Sequence, residues 1–418
     1  MSGATSVPRK AREEAATGTV AEAWRGYVNK VRGGDVGSLP AVLGFVALVI
    51  FFSTQSGTFF SLLNGANLLQ QAAVYVFVAM GMVFVLLLGE IDLSAGFTAG
   101  VSAAVLGVIL TKHGMPWPVA VVGCVATGAV IGLAIGMIFA RLRVPSFVVS
   151  LAFFLGLQGA MLGIIGDGGT IPVRDETIFA IMGRNLPVVW GWVFAGAGVA
   201  LYAVLGLVQR RARRTAGLPS HPPTLMILKV VGLAVLLGGA TYLLNRERSV
   251  NPVLNSLKGI PVIVPIAAVF VVGLTFVLRR TAFGRHIYAV GGNAEAARRA
   301  GINVPGIQTA CFVICSAMAG CAGIVMVSRD TSVSPSTGGS STLLLSIGAA
   351  VIGGTSLFGG KGRIIDAVIG GLVIAVISNG LPLMTSEASA QYIVTAFVLM
   401  LAAMIDAMAR RRAAATGH

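Results

Sequence analysis

Charge is what this sequence has least of. Only 11% of its 418 residues are Asp, Glu, Lys or Arg, where a soluble domain carries roughly 25%. A soluble fold of this length could not cover its surface with so few. Aromatics are sparse at 7%, and there are four cysteines and four histidines. Cys124, Cys311, Cys315 and Cys321 all lie in apolar stretches with no His or carboxylate beside them. That is no closed metal ligand set, so they read as small packing residues, and neither a metal nor a cofactor is expected. His113, His221 and His286 fall in loops and His418 is terminal. A phosphate loop is missing as well. The nearest match, TSLFGGKG at 355–362, lacks the first glycine and has Gly362 in place of Ser or Thr. No cleavable signal is spelled out: residues 1–38 are polar and mixed in charge, and the first apolar run begins at Leu39.

What is there is apolar. Hydrophobic residues make up 56% and the mean hydropathy is +0.89, with 55 glycines. Glycine-rich apolar segments suit close helix packing in lipid. The fold class expected is all-α, a polytopic integral membrane protein. With about 20 apolar residues per span and all backbone groups satisfied internally, twelve helices are expected. They are 39–55, 67–89, 93–111, 117–140, 145–166, 187–208, 224–244, 261–280, 308–328, 342–358, 364–381 and 389–409. Residues 1–38 form an N-terminal tail, with an interfacial helix around Val20–Val31, and 410–418 a basic C-terminal tail. The net charge of +15 would suit nucleic acid on a soluble basic face. Here the basic residues lie between apolar runs, so no nucleic-acid partner is expected and membrane lipid is. With both termini inside, 23 of the 30 basic residues face the cytoplasm, as the positive-inside rule requires.

Only the inside loop 281–307 exceeds ordinary connector length. Gly291-Gly292 suggests a turn with unusual dihedrals. Asn293 is a good N-cap, and Glu295 sits in the first turn of a helix-forming run ending in Arg298 and Arg299, where the dipole favours cations. Gly301 stands where a left-handed C-cap glycine belongs. A short, doubly capped helix outside the bilayer follows, and Ala296, Ala297 and Ala300 give it a small-residue face able to enter a groove on a partner.

At this loop, TAFGRHIYAVGGNAEAARRAGINV resembles the cytoplasmic coupling loop of the sugar-importer permeases of the ABC superfamily. GEIDLSAG at 89–96, VPSFVVSLA at 144–152 and AVIGGTSLFGGKG at 350–362 resemble three further segments of that family, in order. SRDTSVSPSTG at 328–338 and QRRARRTAGLPS at 209–220 are similar to its D-xylose subtype. The resemblance runs from about residue 60 to the C-terminus. It implies a homodimer around a central sugar path in the bacterial inner membrane. It also implies a cytoplasmic ATP-binding subunit docked on 291–301 and a periplasmic or extracellular sugar-binding protein, with no catalysis on this chain. The sequence departs from the family at Asp366, where glycine is usual; Arg363, three residues earlier, is placed to pair with it.

The remaining candidates are polar residues in apolar surroundings. Glu90 and Asp92 fall in a tight cytoplasmic hairpin that water reaches, where Asp92 would cap the following helix, with a role for both in the translocation path or its gate as the alternative. A neutral sugar needs hydroxyl partners, so Asn67, Gln70, Gln71, Gln158, Ser346 and Asn379 are path candidates, with helix-to-helix hydrogen bonding as the alternative. Gly128, Gly132 and Gly136 form a close-packing stripe. A proton-coupled secondary sugar transporter of the major facilitator type also fits twelve helices and a basic central loop at 209–223. The capped helix at 291–301 is the feature such a transporter has no reason to carry. A membrane-embedded structural or receptor subunit would need neither that helix nor a solute path.

Overall fold

The computed structural model describes residues 37–415 except 167–168, 218–222, 250 and 254–255. Residues 1–36 of the expected 1–38 tail, its helix at 20–31, His221 and His418 lie outside the described residues. Nine described helices are long and apolar enough to cross a membrane, and three further apolar helical stretches, Leu39–Gln55, Gly339–Ile352 and Ala388–Val398, are shorter. Each of the twelve expected spans coincides with one of them. The main body comprises 37–185 and 261–407. Its helices in order are α1 (Leu39–Gln55), α2 (Leu62–Leu87), α3 (Ala95–Gly107, ending in a π-turn at Val108–Lys112), α4 (Trp117–Leu142), α5 (Ser146–Ile165) and α6 (Glu176–Gly183). After residues 186–260, which contain α7 (Val188–Thr215) and α8 (Pro223–Leu244), come α9 (Ile263–Arg280), α10 (Ala282–Gly292), α11 (Ala294–Arg299), α12 (Val304–Asp330), α13 (Gly339–Ile352), α14 (Ile364–Gly380) and α15 (Ala388–Ala415). α15 continues through the arginines expected to be tail.

Two short strands, β1 (Ile171–Pro172) and β2 (Ser332–Val333), pair antiparallel at one end of the body, Ile171 opposite Val333. The α10–α11 pair marks the opposite end. Local chemistry starts several helices. The Ser61 hydroxyl accepts the Asn64 N–H at 3.2 Å, and one Asp175 carboxylate oxygen accepts those of Thr177 and Ile178, each at 2.9 Å. Such caps satisfy orphan N–H groups of the first turn.

The core is built around α2 and α12, which with α14 are the most enclosed long helices. Val78 to Leu87 of α2 are sealed from solvent, and the same cluster takes in Phe312, Cys315 and Ala319 of α12. The glycine stripe of α4 lies on α12: a Cβ on Gly128 would stand 2.3 Å from the Ser316 carbonyl oxygen and one on Gly132 2.4 Å from that of Phe312. The stripe therefore packs two helices of one chain, as small-residue contacts in membranes do. Cys124 donates to the Gly320 carbonyl across the same contact at 3.3 Å, and all four cysteines are free.

Residues 186–260 form a separate helical hairpin. Its Glu247 carboxylate gathers the connection beyond α8, accepting from Arg248, Ser249 and Leu257 N–H groups and the Ser256 hydroxyl. These bonds lower its pKa to about 2.

Candidate functional site

The inside loop 281–307 is largely helical. α10 is a helix beyond the one the sequence spells, which starts only after the turn suggested by Gly291-Gly292. Its Gly284, Ile287 and Val290 are nevertheless buried, and the Tyr288 hydroxyl donates to the Gly362 carbonyl at 2.7 Å. Gly291 and Gly292 end this helix with ordinary negative φ rather than forming a left-handed turn. Glycine at 291 answers a different need. A Cβ there would lie 1.8 Å from the Leu87 carbonyl oxygen and 3.0 Å from the Gly360 nitrogen. The end of α10 is thus wedged between the end of α2 and the 355–362 turn, whose Gly360 N–H donates to Leu87 O at 2.9 Å.

α11 has the caps its sequence spells. The Ala296 N–H donates to Asn293 Oδ1 at 2.9 Å. Gly301 has φ +84, with Gly301 N–H bonded to Arg298 O and Ile302 N–H to Ala297 O, the Schellman closure. Glu295 pairs with Arg298 at 3.0 Å and Arg299 at 3.3 Å. One expectation fails. Ala297 is 5% exposed and belongs to the core, so the outward face carries Ala296 and Ala300 without it. The 3.6-residue period places 297 on the side away from 295 and 299 and against the body.

Between Leu87 and Ala95 the chain is not helical. Gly89 packs against Phe358 at the α11 end. Asp92 is fully buried, with Cys315 of α12 facing it. Cys315 is eleven residues into α12, or about 16 Å from its start. Asp92 therefore stands inside the bundle rather than at a water-filled hairpin. Seven residues of non-helical chain climb much farther than seven residues of helix. Asp92 Oδ1 accepts the Ser94 N–H at 2.9 Å and its hydroxyl at 2.5 Å, closing the turn that begins α3. Its Oδ2 has no nitrogen or oxygen partner. Glu90 is half-buried nearer the end and accepts from Ser146, at the start of α5. Burial raises its pKa, and the Ser146 bond opposes that rise. Asp92→Asn should keep the accepting oxygen and melt near the wild type. Asp92→Leu should lose about 1 kcal/mol, the usual net worth of a hydrogen bond that closes such a turn ahead of the Ser94 N-cap. Equal melting temperatures in a thermal-shift comparison would contradict that turn-closing role.

A second break faces the first. From Val333 the chain runs back beside α3 in non-helical form. Gly107 of α3 faces Ile171 and Val333. A Cβ on Gly100 would stand 2.4 Å from the Thr337 carbonyl oxygen, and one on Gly96 2.4 Å from that of Gly339. From Gly107 to Gly96 is about 16 Å of helix, so the hydroxyl-rich stretch 334–339 descends deep alongside α3. There α13 begins, its 14 residues covering about 21 Å, less than a bilayer core. The N-termini of α3 and α13 thus meet inside the bundle, at Gly96 and Gly339. Thr337 turns inward, its hydroxyl accepting the Ser334 N–H at 3.0 Å, while Ser336, Ser340 and Ser341 are exposed. These three were not among the sequence candidates. Their signal was the run SPSTGGSST, too polar for a span and too long for a tight turn.

The other path candidates are scattered. Asn379 exchanges two amide hydrogen bonds with Asn64, at 2.7 and 2.9 Å, and so ties α14 to α2. The Gln70 amide donates to the Met182 carbonyl at 2.6 Å. Asn67 and Gln158 are exposed on α2 and α5, Gln71 is half-buried, and Ser346 is buried with its hydroxyl unpartnered. At Asp366 the expected pair is present: its carboxylate, 2% exposed, takes the Arg363 guanidinium at 2.8 Å and the Arg363 N–H at 2.8 Å, capping α14.

Residues 64–403 match the family described as branched-chain amino acid transport system / permease component. The Xylose transport system permease protein XylH of Escherichia coli is 35% identical over 372 residues, 89% of this chain and 92% of that one. Its Haemophilus influenzae counterpart is 34% identical over 89% and 96%. The Ribose import permease protein RbsC of Escherichia coli is 33% identical over 88% and 92%. No solved structure matches. With its many apolar helices this is a multi-pass inner-membrane protein, and the chain belongs to the permease-component family that these sugar permeases share.

Proposed function

We propose that this chain is the membrane-spanning subunit of an ATP-driven importer for a neutral monosaccharide, D-xylose or a close pentose. Two copies enclose the path, and the α11 end faces the cytoplasm. An ATP-binding subunit docks on the outward face of α11, at Ala296, Ala300 and the ion-paired Arg298 and Arg299. A sugar-binding protein delivers from the β1–β2 end. Support for the substrate class comes from the relatives' names and from a broken helix pair lined by hydroxyls. Irregular backbone at membrane depth is tolerated where it is buried in protein or lines a cavity, and helix breaks of this kind mark solute sites in transporters.

The carrying observation is the continuous connection from α11 to that break. α11 follows α10 with no spacer beyond Asn293. α10 is wedged on Leu87, and Leu87 leads through Gly89 and Asp92 to the start of α3, where α13 also begins. Closure of the ATPase pair pulls α11 and shifts the 88–94 link against the α3–α13 junction, biasing a two-state path. Ser336, Ser340 and Ser341 offer the sugar uncharged donors and acceptors there. Ser340→Trp should abolish uptake in proteoliposomes while the ATPase subunit still co-purifies. Normal uptake by that variant would place the path elsewhere.

A further inference from the structure

A surface cleft of about 490 Å³ opens between α4 and α12 near the α11 end. It runs alongside the lower part of the glycine stripe, on the flank of the contact where Gly136 meets Thr309. Its walls are apolar, from Leu133 and Met137 on one side and Val313 and Ile314 on the other. Leu133 is 42% exposed, so the cleft opens outward. Arg141 and Asn303 line one end, and the polar Thr309 between them and the far end turns its hydroxyl to the Gly136 carbonyl at 3.2 Å. From Leu133 to Arg141 the cleft runs about 12 Å along α4. Arg141 is exposed, and so is Arg143, which ends α4 in the left-handed conformation with φ +57. Among the described residues neither has a carboxylate within salt-bridge distance; Glu295 is taken by Arg298 and Arg299.

We infer that this cleft holds an anionic phospholipid, with an acyl chain between Met137 and Ile314 and its phosphate on Arg141. An apolar trough ending in Arg141, with the exposed Arg143 two residues on and neither ion-paired among the described residues, is complementary to such a lipid in both shape and charge. Basic clefts between spans on the cytoplasmic side recognise anionic headgroups in this way, and a guanidinium binds phosphate bidentately. The second arginine favours a headgroup with net negative charge over a zwitterionic one. Asn303 caps α12, accepting the Gly306 N–H at 3.1 Å, and follows Gly301 by two residues. The headgroup therefore bears on the base of the coupling helix.

The site is testable on the permease alone, apart from any transport assay. The detergent-purified protein is incubated with equal phosphatidylglycerol and phosphatidylcholine, and retained lipid is measured by native mass spectrometry. The wild type should retain phosphatidylglycerol in preference. Arg141→Gln should lower that preference about fivefold, the worth of one cation at an anionic surface, and Arg141→Lys should keep most of it. Met137→Trp, which fills the trough, should cut retention of both lipids while the protein stays monodisperse. Equal retention of the two lipids by the wild type, or an unchanged preference in Arg141→Gln, would overturn the assignment. So would disulfide-linked dimers from a cysteine placed at Leu133, since a second copy would then cover the cleft.

Discussion

Ala296→Trp is expected to give a permease that inserts and folds but no longer retains its ATP-binding subunit, whereas Ala297→Trp should fail to accumulate. The two alanines are neighbours in sequence and opposites in position. Ala296 is exposed on α11, so a large side chain there meets only the docking partner. Ala297 is 5% exposed and packs within the main core cluster. Inserting an indole into a packed core costs about 1–3 kcal/mol or more. Co-purification of the ATP-binding subunit and the yield of monodisperse permease separate the outcomes. Full recovery of the ATP-binding subunit with Ala296→Trp would mean that α11 is not the docking element. Wild-type yield of Ala297→Trp would mean that α11 does not seat on the body as described.

The second large effect is expected at Gly100. Gly100→Leu puts a branched side chain where a Cβ alone would stand 2.4 Å from the Thr337 carbonyl oxygen. The obstacle is backbone, which cannot swing aside as a flexible side chain can. The 334–339 stretch must then leave α3, and the two helix N-termini separate. Uptake should be lost, with the melting temperature lowered by the equivalent of about 1–3 kcal/mol. Gly159→Leu is the control, since nothing lies within 4 Å of a Cβ there. Equal loss in both variants would show that helix glycines matter here only through flexibility, contrary to the close contact between α3 and the broken segment.

What the sequence made legible follows the range of the forces involved. The caps of α11 act within a few residues, so Asn293 and Gly301 announce themselves. The Arg363–Asp366 pair is likewise local, and the spans follow from apolar runs. Non-local requirements stayed hidden. Gly291 looks like a turn residue until Leu87 is known to lie against it, more than two hundred positions earlier. Asn379 reads as a path residue until Asn64 is found across from it. Asp92 was placed at the membrane edge because its distance from α2 was counted in residues. The link is non-helical, and it carries the carboxylate into the bundle. α10 is masked in the sequence because Gly284 and Gly291 serve close packing, though Phe283, Ile287 and Val290 keep helical spacing.

The most direct test of the account is uptake of labelled D-xylose by proteoliposomes holding this permease with its ATP-binding subunit, with the loaded sugar-binding protein supplied outside. Uptake should require ATP in the lumen and all three components, and a protonophore should leave it unchanged. Uptake by the permease alone that collapses when the proton gradient is discharged would contradict the account and favour a proton-coupled carrier.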